Sequence, residues 1–428
     1  MQNTSDPTPS PTSTPTADTG SPPLTPTADT EAPPSAPRQR PARQWAAVAV
    51  VAAATFTVVT AEMLPVGLLT PMAGSLRVSE GAAGLTLTIT GLVAALSAPL
   101  VPLVAGHFDR RLLLCLLMAV LAIANLVSAW APHFAVMVVA RVLVGLAMGG
   151  VWSLAAGLAV RLVPERSVGT ATSLIFSGIA IASVLGVPAG TYIGDLGGWR
   201  SAFAVTGAVA LLVAVAMAVL LPRLPAERGT RAGGVAGLFR NPRITTGLTL
   251  VALLVAGHFA AYTYIRPVLE DTAGADATQV GTLLLCYGIA GIAGNFAAGT
   301  TAPAAPRATL AVTSALIAAS VLLIPVIGGT AAAAAGLLVV WGAAYGGVSV
   351  GAQTWLMSSA PEAREAASAL FVGVFNGSIA IGALIGGRVV DAAGPPSVMW
   401  LGGALAVGAL VVTMAGRAPR GRRTPKGR

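Results

Sequence analysis

Residues 134–160, FAVMVVARVLVGLAMGGVWSLAAGLAV, decide the class of fold. The stretch is apolar nearly throughout and carries one charge, Arg141. About 20 apolar residues, as a helix, cross the ~30 Å hydrocarbon layer of a bilayer. A barrel strand would need only ~10 residues, with strict alternation, and none is visible here. Residues 134–160 therefore read as a transmembrane helix.

Working outward, the same kind of run recurs on both sides. Runs lie near 45–70, 83–105, 112–131, 168–192 and 200–221, and after a polar gap near 244–267, 278–300, 307–328, 331–357, 366–390 and 397–416. With 134–160 this makes twelve spans. Composition agrees: 55% of the 428 residues are hydrophobic, 10% charged and 5% aromatic, with mean hydropathy +0.79. A soluble chain of this length needs more charge to cover its surface. The expected class is an all-α integral membrane protein with six helices on each side of a central loop.

Five units follow: a Pro/Thr-rich cytoplasmic tail at 1–44, a six-helix bundle at 45–221, a basic linker at 222–243, a second bundle at 244–416 and a basic tail at 417–428. The tail at 1–44 repeats TPTADT at 14–19 and 25–30. It has almost nothing to bury, so it is expected to be disordered, and it does not read as a signal peptide. SGIAIASVLG at 177–186 is echoed by GSIAIGALIG at 377–386, which fits two parallel repeats.

The net charge of +9 would suggest nucleic acid on a soluble domain. Here it sets orientation. With a cytoplasmic N-terminus, all of the 25 basic residues fall on the cytoplasmic side except Arg77, Arg141, Arg200, Arg266 and Arg388. Basic residues favour the inside, so both termini are expected in the cytoplasm and the chain in the plasma (inner) membrane. Cys115 and Cys286 lie within apolar runs and show no metal-ligand spacing. No Walker loop, GxSxG or HExxH is present. Neither an enzyme nor ATP drive is expected, and no cofactor.

An ionisable side chain at membrane depth is functional by default. Among the 16 acids, Glu62 alone lies clearly inside a span. With an outer end at Leu69 it sits about 10 Å deep, and Arg141, seven residues from Phe134, at the same depth. The pair predicts an interaction, direct or through water. Burial opposes ionisation of such a carboxyl and a nearby guanidinium favours it, so helix movement can load or release a proton. The bland alternative is a static ion pair that fixes packing. His258 is a second candidate proton site; it shares a helix face with Tyr262, and the two are candidates to line a polar cavity and bond a substrate, the bland alternative being interhelical hydrogen bonding with Tyr264 as an interfacial anchor. Trp152, Tyr345, Gln353, Asn295 and Asn376 are candidates to line a substrate cavity, each weighed against plain packing. Glycines four apart (Gly145 and Gly149, Gly190 and Gly194, Gly342 and Gly346, Gly382 and Gly386) predict close helix contacts. Pro188 removes a backbone hydrogen bond within span 5.

ARVLVGLAMGG in span 4 (Arg141 and Gly145), GVPAG in span 5 (Gly186, Pro188 and Gly190) and GHFDRR after span 2 (Gly106, Asp109, Arg110 and Arg111) resemble motifs of the major facilitator superfamily. Within it the chain resembles twelve-span drug:proton antiporters. The loop motif is shortened and lacks its second glycine. EMLPVGLLTPM, VSEGAAG, RLVPERSV, GWRSAF and YTYIRPV are similar to bacterial purine ribonucleoside and sugar efflux pumps. The resemblance implies two pseudo-symmetric six-helix bundles and proton-driven, alternating-access export of a small molecule by a monomer. Glu62 would carry the proton, the loop motif would latch cytoplasmic helix ends, and spans 1, 4, 7 and 10 would line the site. A nucleoside is the first substrate expected, with a drug or sugar-like molecule next. Proton-coupled uptake on the same fold, or a non-transporting membrane sensor, are the alternatives.

Overall fold

The computed structural model describes residues 41–104, 108–225, 240–361 and 364–416. The tails at 1–40 and 417–428, most of the linker and Gly106, all of which carry expectations above, lie outside the described residues.

Twelve segments are long and apolar enough to cross a membrane, and no strand occurs among the described residues. In chain order the helices are α1 (Pro41–Leu76), α2 (Glu80–Val104), α3 (Arg110–Ala129), α4 (Phe134–Leu162), α5 (Val168–Gly197) and α6 (Trp199–Leu220). The second half continues with α7 (Pro242–Tyr262), α8 (Ile265–Ala273), α9 (Ala277–Thr301), α10 (Pro306–Ile327), α11 (Ala331–Gly346), α12 (Val348–Ser359), α13 (Arg364–Ala393) and α14 (Ser397–Ala415).

Three spans depart from the expected bounds. α1 runs on to Leu76, two turns past the expected end at Leu69. Glu62 therefore lies about 21 Å from the end of its helix rather than 10 Å. Span 7 breaks at Thr263–Tyr264 and restarts as α8. Pro267 falls in the first turn of α8, where a missing N–H costs nothing. Span 10 breaks at Gly347 into α11 and α12.

The packing repeats. In the first half α1 lies on α5, α2 on α4 and α3 on α6; in the second, α7 lies on α13, α9 on α11 and α10 on α14. These are the same span pairings, so the two halves are pseudo-symmetric. Small residues set the closeness, as the glycine spacing predicted. A β-carbon at Gly342 or Gly346 of α11 would strike the carbonyls of Tyr287 and Gly291 on α9. One at Gly382 or Gly386 of α13 would strike those of Ala256 and Ala260 on α7.

The halves meet mainly through two crossings, α2 with α13 and α5 with α9, with α8 also touching α1. All cross-half hydrogen bonds among the described residues lie at the end remote from Pro41 and Gly416. Two carboxylates that take part in them repeat the symmetry. Asp391, at the end of α13, accepts from Ser79 Oγ (2.9 Å) and from the Gly81 N–H (3.0 Å) in the first turn of α2. Asp195, at the end of α5, accepts from Thr278 Oγ1 (3.1 Å) in the first turn of α9. The segments that follow match as well. DLGGWRS (195–201) and DAAGPPS (391–397) each turn at a glycine with positive φ, Gly198 at 80° and Gly394 at 82°. Each ends in a serine bonded back to that glycine's carbonyl, Ser201 and Ser397. A carboxylate at a helix N-terminus meets free N–H groups and the positive end of the dipole.

Asp195→Asn with Asp391→Asn should therefore loosen this end. Each latch contributes ~1 kcal/mol or less at an exposed helix end, so the open population should rise several-fold. Spin-label distances between positions 77 and 274 would check this; an unchanged distribution counts against the latches.

Candidate functional site

The site is built around α1. Glu62, Val66, Leu69 and Ala73 share one face of that helix, and the last three pack into a core formed mainly by the second half. Leu64, Leu68 and Met72 point the other way, against Trp199 and Phe203. Glu62 thus faces the second half. It is 4% exposed, its Oε1 has no hydrogen-bond partner, and no cation pairs with it among the described residues.

Among the described residues Arg141 makes no direct ion pair with Glu62, the first of the two forms of contact expected above. Arg141 is fully buried, and its guanidinium donates to the carbonyl of Ala61 (3.1 Å) and to Ser128 Oγ (2.9 Å), lying 5.1 Å from the centroid of the Phe203 ring. The reason is Pro65. Having no N–H, it leaves the carbonyl four residues earlier, Ala61, without its helical partner. Arg141 supplies the missing donor. Pro71 repeats the arrangement one residue past Thr70: it frees the carbonyl of Gly67, and Arg266 of α8 donates there from the other half (2.6 Å). Arg266 is held by Glu270 at 2.8 Å, and Glu270 accepts from Thr70 Oγ1 at 2.7 Å. Thr70, Arg266 and Glu270, together with Asp195 and Asp391, are the functional candidates that sequence reasoning missed. The signal lay in each proline's fourth preceding residue.

Across from Glu62 lies a cluster of rings. His258 and Tyr262 of α7, Tyr287 of α9, and Trp341 and Tyr345 of α11 pack with Phe259. Tyr345 lies within electrostatic reach of Glu62. His258 accepts at Nδ1 from the indole N–H of Trp341 (3.0 Å). That lone pair is the one a second proton would need, so a proton-site role for His258 requires this bond to break first. Tyr264 is also corrected: it is fully buried rather than an interfacial anchor, donating to the carbonyl of Ala383 (2.8 Å) beside Gly84 of α2.

The other candidates are not brought to this cluster. Trp152 sits three turns beyond Arg141 on α4 and packs on Phe176 at 6.4 Å. Gln353 is exposed, Asn295 is half-buried, and Asn376 donates to the carbonyl of Val372 in its own helix (2.9 Å). Asp109 caps α3 and accepts from the N–H of Leu224, and the N–H of Arg110 donates to the Leu224 carbonyl. Arg111 donates to the carbonyl of Ala218 at the end of α6. The loop motif thus ties span 3 to the tail of span 6 within the first half. In α5, Gly186 and Gly190 admit Thr60 and Leu64 of α1. Pro188 frees the carbonyl of Val184, where Gly288 of α9 makes a close approach.

A helical pairing repeated in two halves, with an orphan carboxyl between them, is the plan of a transporter, and the family comparison names it. The model of the Major Facilitator Superfamily matches residues 51–378. This chain belongs to the Major Facilitator Superfamily. It is similar to the "Purine ribonucleoside efflux pump NepI" of Salmonella typhimurium (strain LT2) and of Salmonella typhi, 35% identical over 369 residues to each, covering 86% of this chain and 93% of the relative. Two solved structures share the fold. One is a bacterial homologue of the human lysosomal transporter Spinster in an inward-facing, occupied conformation (TM-score 0.73, 15% identity, 88% of this chain and 97% of that one). The other is a point mutant of the nucleoside transporter NupG (TM-score 0.73, 15% identity, 87% and 99%). The chain is thus a multi-pass inner-membrane transporter of a small molecule and not an enzyme.

Because Arg141 answers the carbonyl that Pro65 frees, the two residues should be energetically linked. Arg141→Met should cost about 1–3 kcal/mol more with Pro65 present than in a Pro65→Ala background, where residue 65 can bond Ala61 itself. Unfolding of the four variants in detergent measures this. Additive effects would reject the linkage.

Proposed function

We propose that this transporter exports nucleosides from the cytoplasm in exchange for protons, with Glu62 as the proton carrier and both termini in the cytoplasm. The observation that carries the reading is the buried carboxyl of Glu62, on the face of α1 turned to the second half, with an oxygen that no donor satisfies. An ionised carboxylate with neither cation nor donor is costly in such surroundings. Its charge therefore depends on what reaches it, which is the property a coupling site requires. The printed function of the Salmonella relatives supports nucleoside export.

The basic residues of the loops support cytoplasmic termini. On that orientation the latched end, with Asp195, Asp391 and the Arg266–Glu270 pair, faces outward. The cycle then alternates by parting these contacts while the opposite ends of the bundles close. In this mechanism Glu62 takes a proton from outside, releases it inside, and the substrate moves the other way. Arg141 holds α1 to α4 and does not titrate against Glu62.

Everted vesicles test the reading. An imposed gradient, acid inside the vesicle, should drive adenosine accumulation by the wild type, and Glu62→Gln should lower it at least tenfold. Wild-type accumulation without any gradient dependence would reject antiport, and accumulation only in right-side-out cells would show uptake instead.

A further inference from the structure

We infer that the free face of Tyr345 is the docking surface for a planar nitrogen heterocycle whose N–H edge is taken by the carboxyl of Glu62. This rests on the exporter reading and narrows its substrate class.

Four rings lie nearly parallel. Tyr345 lies on His258 with centroids 3.4 Å apart and planes 8° apart. His258, Tyr262 and Tyr287 close a triangle, with centroids 5.1, 4.9 and 6.3 Å apart and planes 18° to 29° apart. Two more rings wedge the stack edge-on. Trp341 meets His258, Tyr262 and Tyr287 at 74° to 89°, and Phe259 meets His258, Tyr262 and Tyr345 at 85° to 90°. The Trp341 N–H to His258 Nδ1 bond stops the imidazole from turning. A ring held in this way cannot tilt to relieve a poor fit, so the platform is preorganised.

One ring of this group is less enclosed than the rest. His258, Phe259, Tyr262, Tyr287 and Trp341 are buried, whereas Tyr345 is only half-buried. Tyr345 stacks on His258 through one face, and among the described residues no ring covers the other. A bare π face is best satisfied by a second flat π system, and a base stacked on an aromatic side chain gains roughly tenfold or more in affinity. Glu62, within electrostatic reach of this same ring, brings a buried carboxyl that only accepts once its proton has been released. A guest that fits both must be flat and must carry an N–H donor at its edge. Among nucleosides this describes one with an amino-bearing base, and it makes the base, rather than the sugar, the recognised part. A saturated polyol would use neither the face nor the stack behind it.

The test uses the full chain in lipid nanodiscs, with binding of adenosine, adenine, ribose and the adenosine analogue lacking the 6-amino group measured by calorimetry. Adenosine and adenine should bind the wild type with similar affinity, and ribose should not compete. Tyr345→Leu should weaken adenosine at least tenfold and Tyr345→Phe less than threefold. Glu62→Ala should bring adenosine and its analogue lacking the 6-amino group to the same affinity. Size-exclusion profiles and the retained binding of Tyr345→Phe guard against a folding defect. If the wild type binds and exports adenosine but Tyr345→Leu binds it unchanged, or ribose competes as well as adenine, this inference falls and the exporter reading stands. If the wild type neither binds nor moves any nucleoside, both fall.

Discussion

The structure depends on a backbone carbonyl that a proline leaves unbonded and an arginine then claims. α1 contains Pro65 and Pro71 in its long apolar run, and each removes a hydrogen bond from the carbonyl four residues before it. In a water-free interior such a group must find a donor elsewhere. Arg141 of α4 answers Ala61, and Arg266 of α8 answers Gly67. One bond is internal to the first half and ties α1 to α4. The other crosses between halves. The same chemistry therefore makes one permanent joint and one joint that must part if the halves move against each other.

This explains why Glu62 stands alone. Its nearest expected partner, Arg141, is already committed to the carbonyl next door and to Ser128. A committed arginine holds the helix in place without neutralising the carboxyl. The rings facing Glu62 are held just as firmly, by stacking and by the Trp341–His258 bond. The centre thus combines closely packed walls with one unsatisfied acid, while the hydrogen bonds between the halves lie beyond it, toward the end of α1.

The latched end is built from repetition. Asp195 and Asp391 close the same structural turn in each half, and each reaches the first turn of a helix in the other. The Arg266–Glu270 pair with Thr70 breaks the symmetry, since it has been added on one side by the split of span 7. The symmetric aspartate contacts are individually weak, as exposed helix-end contacts are, and the Tyr192–Thr282 hydroxyl pair adds one more bond between the halves.

The sequence by itself determined the twelve spans, their helical state and the membrane setting, because run length and the absence of charge are local properties that lipid enforces residue by residue. It also marked Glu62, since an acid in an apolar run is visible without coordinates, and it marked the glycine rows, whose close contacts are set by side-chain size alone. Only the tertiary structure decided who meets whom. The Glu62–Arg141 pair looked natural from matched depth, yet depth along an axis says nothing of which face a side chain occupies or which orphan carbonyl lies nearer. His258 looked titratable until Trp341, on a helix far along the chain, filled its lone pair. Tyr264 looked like an interfacial anchor until Ala383, far along the chain, took its hydroxyl, and Asp195 and Asp391 drew no notice until the opposite half supplied their partners. Those relations come from packing between distant segments, and a one-dimensional pattern carries no record of them.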